Sequence, residues 1–394
     1  MLGFILCCSK QHNTFSEWAI QIGMIIKKKL SRQGIFDRIT DKAAIFARQL
    51  LQQFIEKQRC DHAKGQKGLF EDFGKVLLQD STTLRLPQFL ANLYPGNVVN
   101  GVQKAIARIQ TVIDIKTMRF VDFKLCAYTK NDQSASKDIL STAQQGDLVI
   151  RDMGYFVSDV FEAMINKGVF FLSRLKYGVN IYDAKGDIIL LKKLLAQKKV
   201  IDRWVYIGSK NKIRVRLIMI PLPAAIAAER IRKAKAHPDK RFNHDKQYYQ
   251  WLQYNVFITT VDKDIWTAKT VIKVYKLRWQ IEIIFKSWKS GFSLQNVLHE
   301  RCTDKHRVEV CIWLMLLFIC LFMQKIYMPY KENIESRTGK AISLLKLSNF
   351  ISNNIMEIFS CSLRFIKDQI ELHCCYDKRS DRMTMTDLLN NFKN

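Results

Sequence analysis

Three acidic residues stand where they could do chemistry together. Asp80 follows the short apolar run Lys75–Gln79 (KVLLQ), and Asp152 lies just past Asp147–Ile150 (DLVI), in Arg151-Asp152-Met153-Gly154. Glu282 lies in a helical stretch, Ala268–Lys289. If the two strands are neighbours, both aspartates emerge at one edge of a sheet, and an acid from a packed helix completes an oxygen-rich cage. Hard cations such as Mg²⁺ or Mn²⁺ prefer such ligands. At about 100° per residue, Tyr275, Arg278, Glu282 and Lys289 fall on one stripe of the helix. Apolar Val274, Leu277, Ile281, Ile284, Phe285 and Trp288 lie on one flank, with Trp279 and Ile283 on the other. A carboxylate beside two cations and a phenol, placed between apolar surfaces, suits a site that holds metal and phosphate together. Each residue also has a plainer reading. An Asp after a strand is usually a turn residue or a helix cap. Glu282 and Arg278 have the spacing of an ordinary i,i+4 ion pair, which leaves Tyr275 and Lys289 unexplained.

The elements that must position these residues can be read from periodicity. Ala105–Asp114 and Arg119–Tyr128 alternate, and Ile115–Met118 between them reads as a hairpin turn. Asp147–Ile150 and Val169–Leu172 do not alternate, as expected for strands buried on both faces. Ser136–Gln144 and Val157–Asn166 read as helices. Hairpin-linked strands are antiparallel, and later strands reached through helical crossovers should be parallel. From Tyr177 to Gln253 the pattern is an insertion, with a clear strand at Lys212–Ile220 and a basic helix at Ala225–His237. Asn255–Thr260 returns to a buried strand. The fold class expected is α/β: a mixed sheet flanked by helices, a β-rich insertion before the last catalytic helix, and helical N- and C-terminal regions.

The bulk numbers are compatible with this. A chain of 394 residues, 48% of them hydrophobic, can bury a large core. Lys plus Arg outnumber Asp plus Glu by 63 to 36, a net charge of +27, which points to a polyanionic partner. The ten cysteines include no CxxC pair. Cys7–Cys8 and Cys374–Cys375 are adjacent and suit neither a zinc cage nor an ordinary bridge, so they read as reduced thiols of a cytoplasmic protein. Met1–Cys8 is apolar but lacks the basic start and cleavage site of a signal peptide. The apolar run Val308–Met323 is shorter than the roughly 20 residues of a membrane span and reads as a buried core helix.

Tyr275-x2-Arg278-x3-Glu282-x6-Lys289 resembles the Y-R-E-K signature of a class of bacterial insertion-sequence DDE transposases with a ribonuclease-H-like core. Asp80 in QDSTT and Asp152 in RDMGYF are similar to that class's first and second acids, and Asn131-Asp132-Gln133 also matches its pattern. The likeness runs from about Lys75 to Lys289. It implies an enzyme that cleaves transposon ends and joins them to target DNA, with two Mg²⁺ or Mn²⁺ ions about 4 Å apart held by Asp80, Asp152 and Glu282. It implies phosphate contacts from Tyr275, Arg278, Lys289 and Arg174, the last in the SRLK that follows a strand. Arg suits a forked contact and Lys a point charge. Tyr254, with Trp251, could stack on a flipped base, although aromatic core packing is the favoured reading of both.

The organisation expected is a helical DNA-binding region over 1–70, a first core segment over 71–176, a mainly β insertion over 177–253, a second core segment with Glu282 over 254–298, and a helical region over 299–394. The partners implied are double-stranded DNA (terminal inverted repeats and target) and a second copy in a synaptic homodimer. No membrane is implied, and the place of action is the bacterial cytoplasm, at the nucleoid. Competing readings are a ribonuclease-H-like nuclease that does not join strands, an inactive DNA-binding relic, and a membrane-associated protein anchored by Val308–Met323.

Overall fold

The computed structural model describes residues 14–59, 68–209, 212–237, 244–295, 303–354, 358 and 361–377. Met1–Cys8 therefore lies outside the described residues. Three helices come first: α1 (Phe15–Ile26), α2 (Arg32–Phe36) and α3 (Asp41–Arg59). Thr14 and Glu17 form a reciprocal capping box at the start of α1, and Ser31 caps α2. Strands β1 (Val76–Arg85), β2 (Pro95–Val99), β3 (Val102–Asp114) and β4 (Arg119–Ala127) follow. Then come β5 (Leu148–Arg151), α4 (Ser158–Asn166), β6 (Phe170–Arg174), β7 (Ile181–Tyr182), β8 (Ile201–Ile207) and β9 (Ile213–Pro221). The basic helix α5 (Ala224–Lys235), β10 (Tyr254–Thr259), α6 (Ala268–Lys276) and α7 (Trp279–Lys286) lead into the helical C-terminal region. Its main members are α8 (Lys305–Phe322), α9 (Met328–Thr338), α10 (Leu344–Asn353) and α11 (Leu363–Cys374).

The chain divides into two compact units. The first comprises Met1–Gly68, Asp80–Asn131 and Trp279–Asn394; the second comprises Leu69–Gln79 and Asp132–Arg278. In the first unit, β3 pairs with β2 and with β4, both antiparallel. Residues 115–118 make the expected turn between β3 and β4. Helix α3 packs on α8 through its apolar stripe, which includes Ala44, Ala47, Leu51 and Ile55.

The second unit is a mixed sheet in the order β1-β5-β6-β10-β9-β8-β7, with helices packed against it. β1, β5 and β6 are parallel. All four residues of β5 are buried, as the absence of alternation requires. β10 departs from the parallel expectation: it runs antiparallel to β6 and to β9. The reason is its entry route. It is reached through β9 and α5 rather than through a single right-handed helical crossover, and only such a crossover enforces a parallel return. An aromatic cluster of Phe70, Phe73, Phe170 and Trp266 closes one part of this core, and the Trp266 indole N–H donates to the Leu69 carbonyl at 3.1 Å.

Three further expectations are corrected. Ser136–Ser141 is a 3₁₀ segment, not an α-helix running to Gln144. The Ala268–Lys289 stretch is not one helix: α6 ends at Lys276, Leu277 and Arg278 form a turn, and α7 is followed by a π-helical turn over Ser287–Gly291. At the break the Leu277 and Arg278 N–H groups donate three residues back, to Val274 and Tyr275. The helix phase is reset there, so a single wheel does not apply across it. The apolar run at Val308–Met323 extends further than its composition suggests. Helix α8 continues through a π turn at Met323–Tyr327 into α9, a stretch of 34 residues that is long and apolar enough to cross a membrane by length and composition. In the fold, 61% of its apolar window is buried inside the protein, so it serves as a core helix.

Candidate active site

Asp152 is the best-defined of the expected acids. It stands at the N-cap position of the 3₁₀ turn Met153–Tyr155, directly after β5, and its side chain makes no capping bond. Its side chain is 45% exposed, and Oδ1 is held from one side. The Tyr275 hydroxyl donates to Oδ1 at 3.3 Å, and Arg278 Nε lies 3.8 Å from the same oxygen. Tyr275 is buried against Phe257, with ring centroids 5.0 Å apart. Burial, reinforced by the neighbouring Asp152 charge, pushes its phenol up beyond physiological titration. It therefore stays protonated and acts as a hydrogen-bond donor. The turn that breaks the helix after Lys276 places Arg278 at this carboxylate. The spacing of the four signature residues survives, although the uniform helix assumed for them does not.

Cations gather around this group. Arg174, at the end of β6, bears electrostatically on Tyr275 and on Arg230 of α5. Arg230 donates from Nη2 to Asn255 Oδ1 at 3.0 Å, and burial followed by the Arg174 charge lowers its pKa. Like charges held together by the fold are stable when an anion comes between them. The sequence marked α5 only as a basic helix and did not single out Arg230. The missing signal is its partner Asn255, 25 residues away on β10.

Beneath Asp152 lies Arg151, fully buried. Its Nη1 donates to Ser136 O at 3.1 Å, Ser136 Oγ at 3.0 Å and Gln79 Oε1 at 3.4 Å. Its guanidinium stacks over Phe161 at 4.8 Å. Nε and Nη2 are buried without a hydrogen-bond partner. Burial pulls its pKa down to about 9, still high enough for the side chain to remain charged at neutral pH. Asp147 is a local brace: its carboxylate accepts from Lys75 N–H and from Gln144 N–H, each at 2.8 Å.

In the first unit, Asp80 lies within β1 rather than past the strand's end, because pairing continues through Ser81–Arg85. Its Oδ1 accepts from the Ser81 N–H at 2.8 Å. Arg108 of β3 donates to Ser81 Oγ at 3.0 Å and stacks on Tyr128 at 5.1 Å. Glu282 is partly exposed on α7. That helix is anchored by Trp288, which packs against Phe120, Phe123 and Phe285. Gly291 permits close packing of the π turn on α10: a Cβ there would lie 2.1 Å from Ser348 Oγ. Lys289, on the same turn, is half-buried, and burial lowers its pKa. Trp279 and Ile283, expected on an apolar flank, are 57% and 39% exposed.

The expected set is thus distributed. Asp152, Tyr275, Arg278 and Arg174 belong to the second unit, and Asp80, Glu282 and Lys289 to the first. Among the described residues, no group of three or more His, Cys, Asp or Glu side chains is arranged to hold a metal ion. Tyr254 is buried, and its hydroxyl donates to the Leu195 carbonyl at 3.0 Å, the setting of a core residue rather than of a base platform. Trp251 beside it is buried as well.

Residues 71–323 match the family model of the transposase DDE domain, and the chain belongs to that family. It is a DNA transposase, an enzyme of a family whose chemistry uses divalent metal ions. Among similar proteins, the transposase for insertion sequence element IS231F of Bacillus thuringiensis subsp. israelensis is 26% identical over 343 residues, which is 80% of this chain and 71% of that one. The transposase for IS1151 of Clostridium perfringens is 28% identical over 355 residues, covering 84% and 73%. A structure of the piggyBac transposase synaptic complex with hairpin DNA aligns over 94% of this chain and 73% of that one, with 10% identity and a TM-score of 0.47.

Proposed function

We propose that Asp80, Asp152 and Glu282 are the catalytic carboxylates, and that the enzyme cleaves transposon ends and transfers the freed 3′-OH to target DNA. The observation that carries this is the setting of Asp152. One carboxylate oxygen is fixed by Tyr275 and Arg278, and the side chain is nearly half exposed. The three acids offer only oxygen ligands, the donor set of Mg²⁺ or Mn²⁺ and not of a thiolate-seeking metal. Two ions held by Asp80, Asp152 and Glu282 would supply an activated oxygen nucleophile and stabilise the leaving oxygen.

The surrounding residues then have separate duties. Tyr275, kept protonated by burial, holds Asp152 in one orientation and can donate to a phosphate. Arg278, Arg174 and Lys289 receive phosphate oxygens, and Arg230 joins Arg174 as a second cation at the same place. The DNA recognised is the element's terminal inverted repeats and the target duplex. The N-terminal region over 1–70 is the candidate DNA-binding part, and its basic helices together with 290–394 are the candidate contacts between two copies in a synaptic dimer. The place of action is the cytoplasm of a bacterium, at the nucleoid.

The test is Asp152→Asn in the full chain. Loss of one anionic oxygen should reduce Mg²⁺-dependent cleavage of a terminal-repeat duplex to background, while the basic surface keeps duplex binding intact. Removing divalent metal by chelation should do the same to the parent protein. Undiminished cleavage by the mutant in Mg²⁺ would place the chemistry elsewhere.

A further inference from the structure

A charged side chain in the core is costly unless it is paired with an opposite charge or fully hydrogen-bonded. Arg151 is neither. No carboxylate is bonded to it, and two of its three guanidinium nitrogens have no partner. A Met or Leu in this place would fill similar space without that cost. The residue that carries the cost sits immediately before Asp152.

Its contacts explain what the charge is for. Nη1 reaches three acceptors on two other segments of the second unit. One is the side chain of Gln79, directly across the parallel β1–β5 ladder, where Gln79 and Arg151 are register partners. Gln79 immediately precedes Asp80 in the chain and is itself buried; its amide donates onward to Ala135 O at 3.4 Å. The other two acceptors belong to Ser136, four residues after Asp132. The Ser136 hydroxyl in turn donates to Tyr155 O at 2.7 Å, which fastens the turn that follows Asp152. That turn is close to Asp132 at another point, since a Cβ on Gly154 would meet Asp132 Oδ2 at 3.4 Å. One guanidinium therefore ties together the strand residue before Asp80, the segment after Asp132 and the turn beyond Asp152.

We propose that Arg151 is a positioning residue for the transposition reaction: a buried guanidinium clamp that sets the spacing of the chain segments bearing Asp80 and Asp152. The proposal rests on the carboxylate assignment above. The clamp acts through neutral acceptors, so its cost in stability is not recovered by an ion pair. A network of this kind fixes geometry more than it adds stability. Small errors in that geometry are expensive in rate, since about 1 Å of misplacement can cost 10²-fold.

The role predicts a split that a purely structural residue would not show. In the full chain, Arg151→Met should melt within a few degrees of the parent and bind terminal-repeat DNA equally. Its Mn²⁺ affinity, measured by calorimetry on the DNA complex, should fall. Its cleavage rate should drop by about 10- to 100-fold, and Arg151→Lys, which restores a cation without the fork, should recover part of both losses. A folded Arg151→Met protein with parental Mn²⁺ affinity and parental cleavage overturns the proposal. Should that variant fail to fold, Ser136→Ala removes one acceptor and leaves the cation in place. The same loss of Mn²⁺ affinity is expected, and a parental value would equally overturn the clamp. Asp152→Asn, measured beside them, keeps the two readings apart. If it cleaves normally, the carboxylate assignment is wrong; if it is inactive while Arg151→Met is parental, only the clamp is rejected.

Discussion

Arg216 and Arg151 are both fully buried on strands of the same sheet, and they are provided for in opposite ways. Arg216, on β9, binds Asp202 of β8 through two parallel contacts of 2.7 Å, from Nε and from Nη2. Its Nη1 donates to the carbonyls of Val261, Asp262 and Trp266 at 3.1, 3.0 and 2.7 Å. Every nitrogen is used and the charge is matched. It joins the β8–β9 edge to the loop that leads into α6. Arg151 has only neutral acceptors, one aromatic face and two unused nitrogens. Buried cations of one type in one sheet can thus serve different ends. A matched one holds the fold, and an unmatched one is kept at a cost in stability beside a candidate catalytic residue.

The largest effect expected from this contrast is on Arg216→Met. It would leave Asp202 without its cation and three carbonyls without a donor, and should lower stability by about 3–5 kcal/mol. Chemical denaturation followed by tryptophan fluorescence measures it; a cost below that of Arg151→Met would reverse the comparison. Asp202→Asn is expected to cost less, about 2 kcal/mol, because the amide keeps one acceptor for Arg216 and loses the charge-assisted part of the pair. The smallest effect belongs to Phe161→Leu, which removes the ring under Arg151 and should cost about 1–2 kcal/mol in the parent. In an Arg151→Met background most of that cost should vanish, since a desolvated cation couples to a ring by about 2 kcal/mol. Full additivity in such a double-mutant cycle would mean that the ring contributes nothing to holding the charge.

Much of the architecture was legible in the sequence where the signal is local. DLVI reads as a buried strand because it lacks alternation, and the hairpin turn at 115–118 and the basic helix α5 follow from short-range patterns. The acids and the spacing of Tyr275, Arg278, Glu282 and Lys289 are chemical signals and need no fold. What could not be read depends on distant partners. Asp80 falls inside β1 because Ser81–Arg85 stay paired, while the polar DSTT following an apolar run reads as a strand end. The break at Leu277–Arg278 carries neither Gly nor Pro, so nothing local announces it. The 34-residue reach of α8 and α9 was hidden because the apolar run stops at Met323 while the helix continues through Pro329, tolerated near the start of α9. Arg151 is inconspicuous in the sequence for a related reason. An arginine after a strand looks like surface until the ladder places Gln79 and Ser136 against it.

The division of the chain bears on the timing of synthesis. The first unit is assembled from three separate stretches, and the second lies wholly before Trp279. Helix α3 therefore waits for its partner α8 while about 250 residues are made, which at 5–20 residues per second is roughly 12–50 s. Through that interval the apolar stripe of α3 has no α8 to cover it, an opening for chaperones. The second unit, with Asp152, Tyr275 and Arg278 already in contact, can close earlier. On the assignment proposed here, Glu282 leaves the ribosome after the other two acids. A partly made chain can thus hold a finished second unit and still be unable to cut DNA.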